Sequence, residues 1–205
     1  MSAENSVAAG QMILLNGASS SGKSSLARAV QAKIDRPFWH ISIDHLRDSG
    51  VLPSARIKSG EFAWRAMREP FFSGFEQSLL AYLRAGNNLI VEHIMESEAW
   101  LHRLVGILAG QDVFFVGVHC DLAELERREL ARGNRPIGDA RRDFFQIHEY
   151  CLYDFEVDGQ IEPEHNAAAL IAAWQARRRP SAFERLTARC EAGRADWSDQ
   201  IDATA

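Results

Sequence analysis

Gly17-Ala18-Ser19-Ser20-Ser21-Gly22-Lys23-Ser24 follows the apolar run Ile13-Leu14-Leu15 and opens the amphipathic stretch Ser24-Ser25-Leu26-Ala27-Arg28-Ala29-Val30. The octet satisfies G-x-x-x-x-G-K-[ST], and its flanks supply the strand and the helix that such a loop joins. A phosphate chain must leave water without losing the hydrogen bonds to its negative oxygens. Glycines let successive backbone N–H groups turn inward, and the helix that follows presents its positive end to the anion. Gly17, Ala18, Ser19, Ser20, Ser21, Gly22, Lys23, Ser24 and Ser25 are therefore expected to cradle a nucleotide. Lys23 would meet the β- and γ-phosphates and the Ser24 hydroxyl would ligate Mg²⁺. The plain alternative is a Gly/Ser-rich turn.

Outward from this loop, short apolar runs alternate with longer amphipathic stretches. Strands are expected at Met12–Asn16, Phe38–Ile43, Leu89–His93, Val113–His119 and Phe155–Asp158. Helices are expected at Lys23–Lys33, Pro70–Ala85, Glu96–Ala109, Leu122–Arg132, Asp139–Leu152 and Asn166–Arg178. Crossovers of this length cannot be hairpins, so the reading is α/β: a parallel five-stranded sheet with helices on both faces, in three layers. Gly86 and Gly110 stand where helix-ending glycines belong, each just before a strand. Val51–Arg68 breaks the rhythm, and the tail from Arg177 reads as a polar appendage with one short helix around Phe183–Cys190.

Of the 205 residues, 46% are hydrophobic and 25% charged, which supports a full core and argues against disorder. The net charge of −5 disfavours a protein that grips nucleic acid by bulk charge, so any phosphate site must be local. Cys120, Cys151 and Cys190 are odd in number and widely spaced, as expected of reduced thiols in the cytoplasm. Glu4 and the absence of a basic n-region argue against a secretory signal, and no apolar run is long enough to span a membrane.

Phosphoryl transfer needs carboxylates near the metal and the acceptor, and in parallel sheets these come from the carboxyl ends of strands. Asp44 ends one expected strand and Glu92 ends another, on the rim that carries Gly17. Asp44 could instead be an N-cap for His45-Leu46-Arg47, and Glu92-His93 a structural pair. His40, His45, His102, His119, His148 and His165 show no metal-ligand spacing, so none is expected to hold a metal. Arg128 and Arg132 share a helix face, with Arg135 in the Gly-interrupted loop beyond. Such arginines could close over a nucleotide and offset charge on the transferring group, or simply end a solvated helix. Phe62, Trp64, Met67, Phe71 and Phe72 could wall an acceptor pocket or fill the core.

Taken together, these segments resemble the small P-loop kinases, and in particular chloramphenicol phosphotransferase and its relatives. The resemblance spans about residues 11–175 and rests on Ile13–Ser24, Ile43-Asp44-His45-Leu46, Val116–Asp121, Glu129–Arg135 and His148-Glu149 through Tyr153–Asp158. With it the chain reads as a P-loop kinase domain over 11–179 with a lid around 128–138, while the flexible lead-in over 1–10 and the extension over 180–205 are read from the chain itself, the tail having no counterpart in the family. The resemblance implies ATP and Mg²⁺ as cofactors and phosphorylation of a hydroxyl on an antibiotic. By that likeness Lys23 and Ser24 handle phosphate and metal, and Glu92 is a further metal ligand. Asp44 is the catalytic base, Arg132 and Arg135 are catalytic lid residues, and Arg128 contacts the nucleotide. Asp44, Glu92, His93, Phe62 and Trp64 are the expected acceptor contacts. The family pattern has two aspartates where this chain has Glu92-His93, and Val51–Arg68 is not matched.

Three functional readings follow. The leading one is an ATP-dependent small-molecule O-phosphotransferase, with oligomeric state left open. A nucleoside, nucleotide-sugar or RNA-end kinase resembling the zeta-toxin group would use Arg47, Arg56, Lys58, Arg65 and Arg68 around its acceptor. A non-catalytic nucleotide switch would bind nucleotide without transfer.

Overall fold

The computed structural model describes residues 8–132 and 138–202, with 193–202 described by backbone alone. In chain order the elements are β1 (Gln11–Asn16), α1 (Lys23–Lys33), β2 (Phe38–Ser42), α2 (Ile43–Asp48), α3 (Ser54–Lys58), α4 (Trp64–Arg84) and β3 (Asn88–His93). They continue with α5 (Glu98–Ile107), β4 (Asp112–His119), α6 (Leu122–Arg132), α7 (Asp139–Phe144), β5 (Phe155–Asp158), α8 (Pro163–Gln175) and α9 (Ala182–Asp202). The strands form one parallel sheet in the order β2-β3-β1-β4-β5.

Because side chains alternate along a strand, each buried strand feeds two cores. Met12, Leu14, Leu89, Val91, Val113 and Phe115 pack with α4, α5 and α9 on one face. Ile13, Leu15, Ile90, Phe114 and Val116 pack with α1 and α8 on the other. This is the expected three-layer arrangement. Among the described residues no helix is long and apolar enough to cross a membrane.

Element boundaries shift where a side chain competes for backbone. The helix expected from Asp139 to Leu152 stops at Phe144. Buried Asn16 donates Nδ2–H to the Ile147 carbonyl (2.8 Å), occupying an acceptor that a continuing helix would use. α4 begins at Trp64 and runs through Pro70, so the proline sits inside the helix instead of opening it. In α8 it is Pro163 that opens the helix, three residues before the expected start. Of the lead-in, residues 1–7 lie outside the described residues. Gly10 is already tied down, its N–H donating to the Leu83 carbonyl at 2.8 Å. The short helices α2 and α3 contribute no buried residue.

The tail corrects the expectation of an appendage. Ser181 and Glu184 form a reciprocal cap: Ser181 N–H donates to Glu184 Oε2 (2.6 Å) and Glu184 N–H to Ser181 Oγ (3.2 Å). Asp154 accepts Ala182 N–H (2.6 Å) on one oxygen and Phe115 N–H (2.9 Å) on the other, fixing α9 to the sheet. Ala182, Phe183 and Leu186 are buried, and the Phe183 ring meets Phe115 edge-on at 5.6 Å. Phe183→Ala is therefore expected to cost about 3–5 kcal/mol in denaturant unfolding, as for a core aromatic. A change within about 0.5 kcal/mol, the range for a surface site, would return the tail to an appendage.

Candidate active site

Register places the chemistry. Glu92 of β3 pairs with Leu15 of β1 and with Ser42 of β2, so Glu92 stands at the same level as the residues from which the phosphate loop and α2 depart. A cleft of about 530 Å³ opens there. Ser19, Ser20, Ser21, Gly22, Lys23, Ser24 and Ser25 line it from one side, and Asp44, Glu92 and His93 from another. Arg128 and Arg132 of α6 border it with the loop from Gly159 to Pro163.

The loop's backbone demands its composition. Gly22 caps α1 at φ 101°, and Ser20 sits at φ 67°, so neighbouring amides turn to one side. A Cβ on Gly17 would lie 2.4 Å from the Val118 carbonyl oxygen, so only glycine lets β1 leave the sheet here. Lys23 Nζ donates to the carbonyls of Gly17 (2.7 Å) and Ala18 (2.8 Å), which holds the ammonium under the loop. Ser21 Oγ is buried and has no hydrogen-bond partner among the described residues.

Ser24 Oγ donates to Glu92 Oε2 at 2.7 Å, and His40 Nε2 lies 2.6 Å from Oε1. Burial pushes the Glu92 carboxyl up, but the bonds to His40 and Ser24 and the Lys23 charge outweigh it and hold the group below its ordinary range. A hydroxyl and an ionised carboxylate in contact are the hard oxygen donors that suit Mg²⁺. His40 was not singled out in the sequence. Its spacing to Glu92 in the chain is long, and only the pairing of β2 with β3 brings it alongside.

Asp44 lies in the first turn of α2, and the cap is Ser42, whose Oγ accepts Asp44 N–H at 3.2 Å. The N-cap alternative for Asp44 therefore fails. Its Oδ1 meets Arg47 at 2.9 Å, and the side chain remains about one-third exposed in the cleft.

Other expected contacts fall elsewhere. The His93 side chain is fully buried: Nδ1 accepts Ile94 N–H (2.8 Å), and Nε2 lies 3.3 Å from Glu76 Oε1. Arg103 grips the same Glu76 in a bidentate pair, so the His93 imidazole belongs to a structural cluster under the cleft. Burial raises the Glu76 carboxyl, and His93 and Arg103 together bring it below the ordinary range. Phe62 lies under the Arg56 guanidinium (3.9 Å) and Trp64 against Phe71 (5.9 Å), and neither lines the cleft.

Arg128 spans α6, the phosphate loop and the loop after β5. It donates to Glu124 Oε1 (2.6 Å), to the Gly159 carbonyl (3.0 Å) and to the Ser20 carbonyl (3.4 Å). Arg135 and the rest of 133–137 lie outside the described residues. Across that gap Glu129 accepts the N–H groups of Gly138 (2.8 Å) and Ala140 (2.9 Å), stapling α6 to the start of α7. Asp143, unremarked in the sequence, accepts Ser19 N–H at 3.1 Å and so anchors the phosphate loop to α7.

Beneath the loop, Asn16 also donates to Tyr153 Oη (2.8 Å), whose hydroxyl faces His148 Nδ1 at 2.6 Å. Burial, the stacked His119 ring and the Lys23 charge lower His148 to about 4, so the folded imidazole is neutral. Below about 6.5 the unfolded chain takes up a proton that the folded chain refuses until about 4. Stability from this site is thus complete above pH 6.5 and is lost as pH falls towards 4. The loss is on the order of 2 kcal/mol after allowance for residual solvent screening. Denaturant titrations across this window should show a shallower acid loss in His148→Gln than in the wild type. Equal slopes would contradict the assignment.

The fold has solved counterparts. The Mycobacterium tuberculosis APS kinase CysC, in complex with AMPPNP and APS, superposes with a TM-score of 0.62 at 19% identity, covering 82% of this chain and 98% of that one. A gluconokinase from Sinorhizobium meliloti 1021 gives a TM-score of 0.52 at 18% identity, covering 89% and 95%. Both share the P-loop kinase fold. In sequence, a Mycobacterium tuberculosis protein provisionally named as an O-phosphotransferase is 34% identical over 202 residues, 88% of this chain and 89% of the relative. The family model described as chloramphenicol phosphotransferase-like protein matches residues 10–175, and the chain accordingly belongs to that family of phosphotransferases.

Proposed function

We propose that this protein transfers the γ-phosphate of ATP to a hydroxyl group of a small organic molecule in the cytoplasm, an antibiotic such as chloramphenicol being the first acceptor to test. One observation carries the reading: Lys23, Ser24, Glu92 and Asp44 converge on a single cleft at the carboxyl edge of the sheet. The loop amides, Lys23 and the spare Ser21 hydroxyl are suited to phosphate oxygens. Ser24 and Glu92 would hold Mg²⁺, which neutralises charge on the β- and γ-oxygens when bound. Asp44 takes the proton from the acceptor hydroxyl as its oxygen bonds to the γ-phosphorus and the bond to the β–γ bridging oxygen breaks. Arg128 fixes the nucleotide side of the cleft, and Arg132, with Arg135, offsets charge on the transferring group.

The zeta-toxin-like reading asks for unpaired basic residues around the acceptor. Arg47 is engaged by Asp44 and Asp48, Arg56 by Glu61 and Arg68 by Glu96, which favours a neutral acceptor. Incubation with ATP and Mg²⁺ against a panel of hydroxylated antibiotics and nucleosides, read by mass, tests the choice. One antibiotic gaining a single phosphate is the expected outcome. Phosphorylated nucleosides alone would establish the second reading. Tight nucleotide binding with no product across the panel would favour a switch.

A further inference from the structure

Glu92 faces two ways. One oxygen takes the Ser24 hydroxyl, while the other points to His40 on β2, whose ring meets that of His45 edge-on with centroids 4.8 Å apart. His40, His45 and Glu92 each offer one ligand atom, and these atoms lie within 4.8 Å of one another. Glu92 is buried, His40 half-buried and His45 exposed, so the cluster has a fixed floor and an open side towards solvent. Two imidazoles with one carboxylate suit borderline dications such as Zn²⁺, Co²⁺ or Ni²⁺, whereas Mg²⁺ takes oxygen ligands. Metal–ligand bonds of about 2.0–2.2 Å put ligand atoms roughly 3.4 Å apart, so the His40–Glu92 pair, now at 2.6 Å, must open slightly while rotation of the exposed His45 ring brings its nitrogen in.

We propose that His40, His45 and Glu92 form a transition-metal site, separate from the Mg²⁺ position but sharing Glu92 with it. A dication there takes the place of the proton between His40 and Glu92 and draws the carboxylate away from Ser24. Its occupation inhibits phosphoryl transfer, a consequence that rests on the function proposed above. Binding itself does not rest on it. Nothing in the linear spacing signals this site, since β2, α2 and β3 each give one ligand.

Co²⁺ titration of the full chain in excess Mg²⁺, followed by visible absorption and equilibrium dialysis, tests the binding. One Co²⁺ per chain with intense ligand-field bands, displaced by Zn²⁺, is expected. His45→Ala and, as a second variant, His40→Gln should each weaken Co²⁺ binding by more than roughly tenfold, since even an outer partner of a metal ligand is worth that much. Thermal melts check that both variants fold. His119→Ala, at the other histidine pair, should bind as the wild type does. Absent bands, bands that survive both cluster variants, or bands lost in His119→Ala would overturn the site. Once an acceptor is in hand, Zn²⁺ should slow transfer by the wild type and spare His45→Ala, which should keep wild-type basal activity. Zinc that binds without slowing transfer would remove the inhibitory role while leaving the site. Should no acceptor be found, the titration still decides binding, so the two proposals fail separately.

Discussion

Replacing Lys23 by alanine is expected to lower phosphoryl transfer on the order of 10³-fold while a cooperative unfolding transition persists. The ammonium is buried beneath the loop, tethered to the Gly17 and Ala18 carbonyls. Within the proposed function its electrostatic work is directed at phosphate charge, which the free protein does not carry. Removing one preorganised donor from a site where charge develops costs roughly 10²–10³ in rate, and a full positive charge stands at the upper end. The Gly17 and Ala18 carbonyls it releases are buried, so some stability is lost, but the two cores of the sheet are untouched and a cooperative transition should persist. Product formation and denaturant unfolding measured on the same preparation decide the matter. Unchanged transfer, or loss of the cooperative transition, would contradict it.

Asp44→Asn should lower kcat by about 10²–10⁴, the usual contribution of a positioned base to proton removal from an alcohol. The structure makes this a clean probe. Ser42 caps α2, so the substitution leaves the cap in place, and it weakens the i,i+3 contact with Arg47. An exposed pair of that kind is worth about 0.2–1 kcal/mol, far too little to imitate the expected fall in rate. The Mg²⁺ requirement must be followed in parallel, because a displaced metal would raise it and mimic a lost base. Wild-type kcat at saturating Mg²⁺ would remove Asp44 from this role and make Glu92 the next candidate.

What could be read from the chain depended on whether the signal was local. β5, α1 and α6 carry the bounds expected of them, because a phosphate loop fixes where α1 begins and apolar periodicity marks the rest. The rim holding Gly17, Asp44 and Glu92 was legible for the same reason: each residue ends an apolar run. Contacts made by distant side chains were not. The Asn16 bond to the Ile147 carbonyl, just past the end of α7, and the Asp143 anchor on Ser19 each bridge more than a hundred residues. His93 looked like an acceptor ligand because it sits beside Glu92, yet strand alternation sends its ring to the other face, onto Glu76. Ser181-x-x-Glu184 was a readable cap that the polar tail around it concealed.

The unequal burial of the rim bears on how this chain can change over generations. Ser19, Ser21, Lys23 and Glu92, all proposed to handle phosphate or its metal, are buried, so substitutions there put the fold at risk. The stretch from α2 to α3, on the side of the cleft proposed for the acceptor, contains no buried residue. Apart from Ile43 and Leu46, which pack against the core, mutations in it are expected to cost little stability, within about 0.5 kcal/mol for ordinary surface positions. Under the proposed function, descendants could therefore diverge in what they phosphorylate while inheriting the same engine.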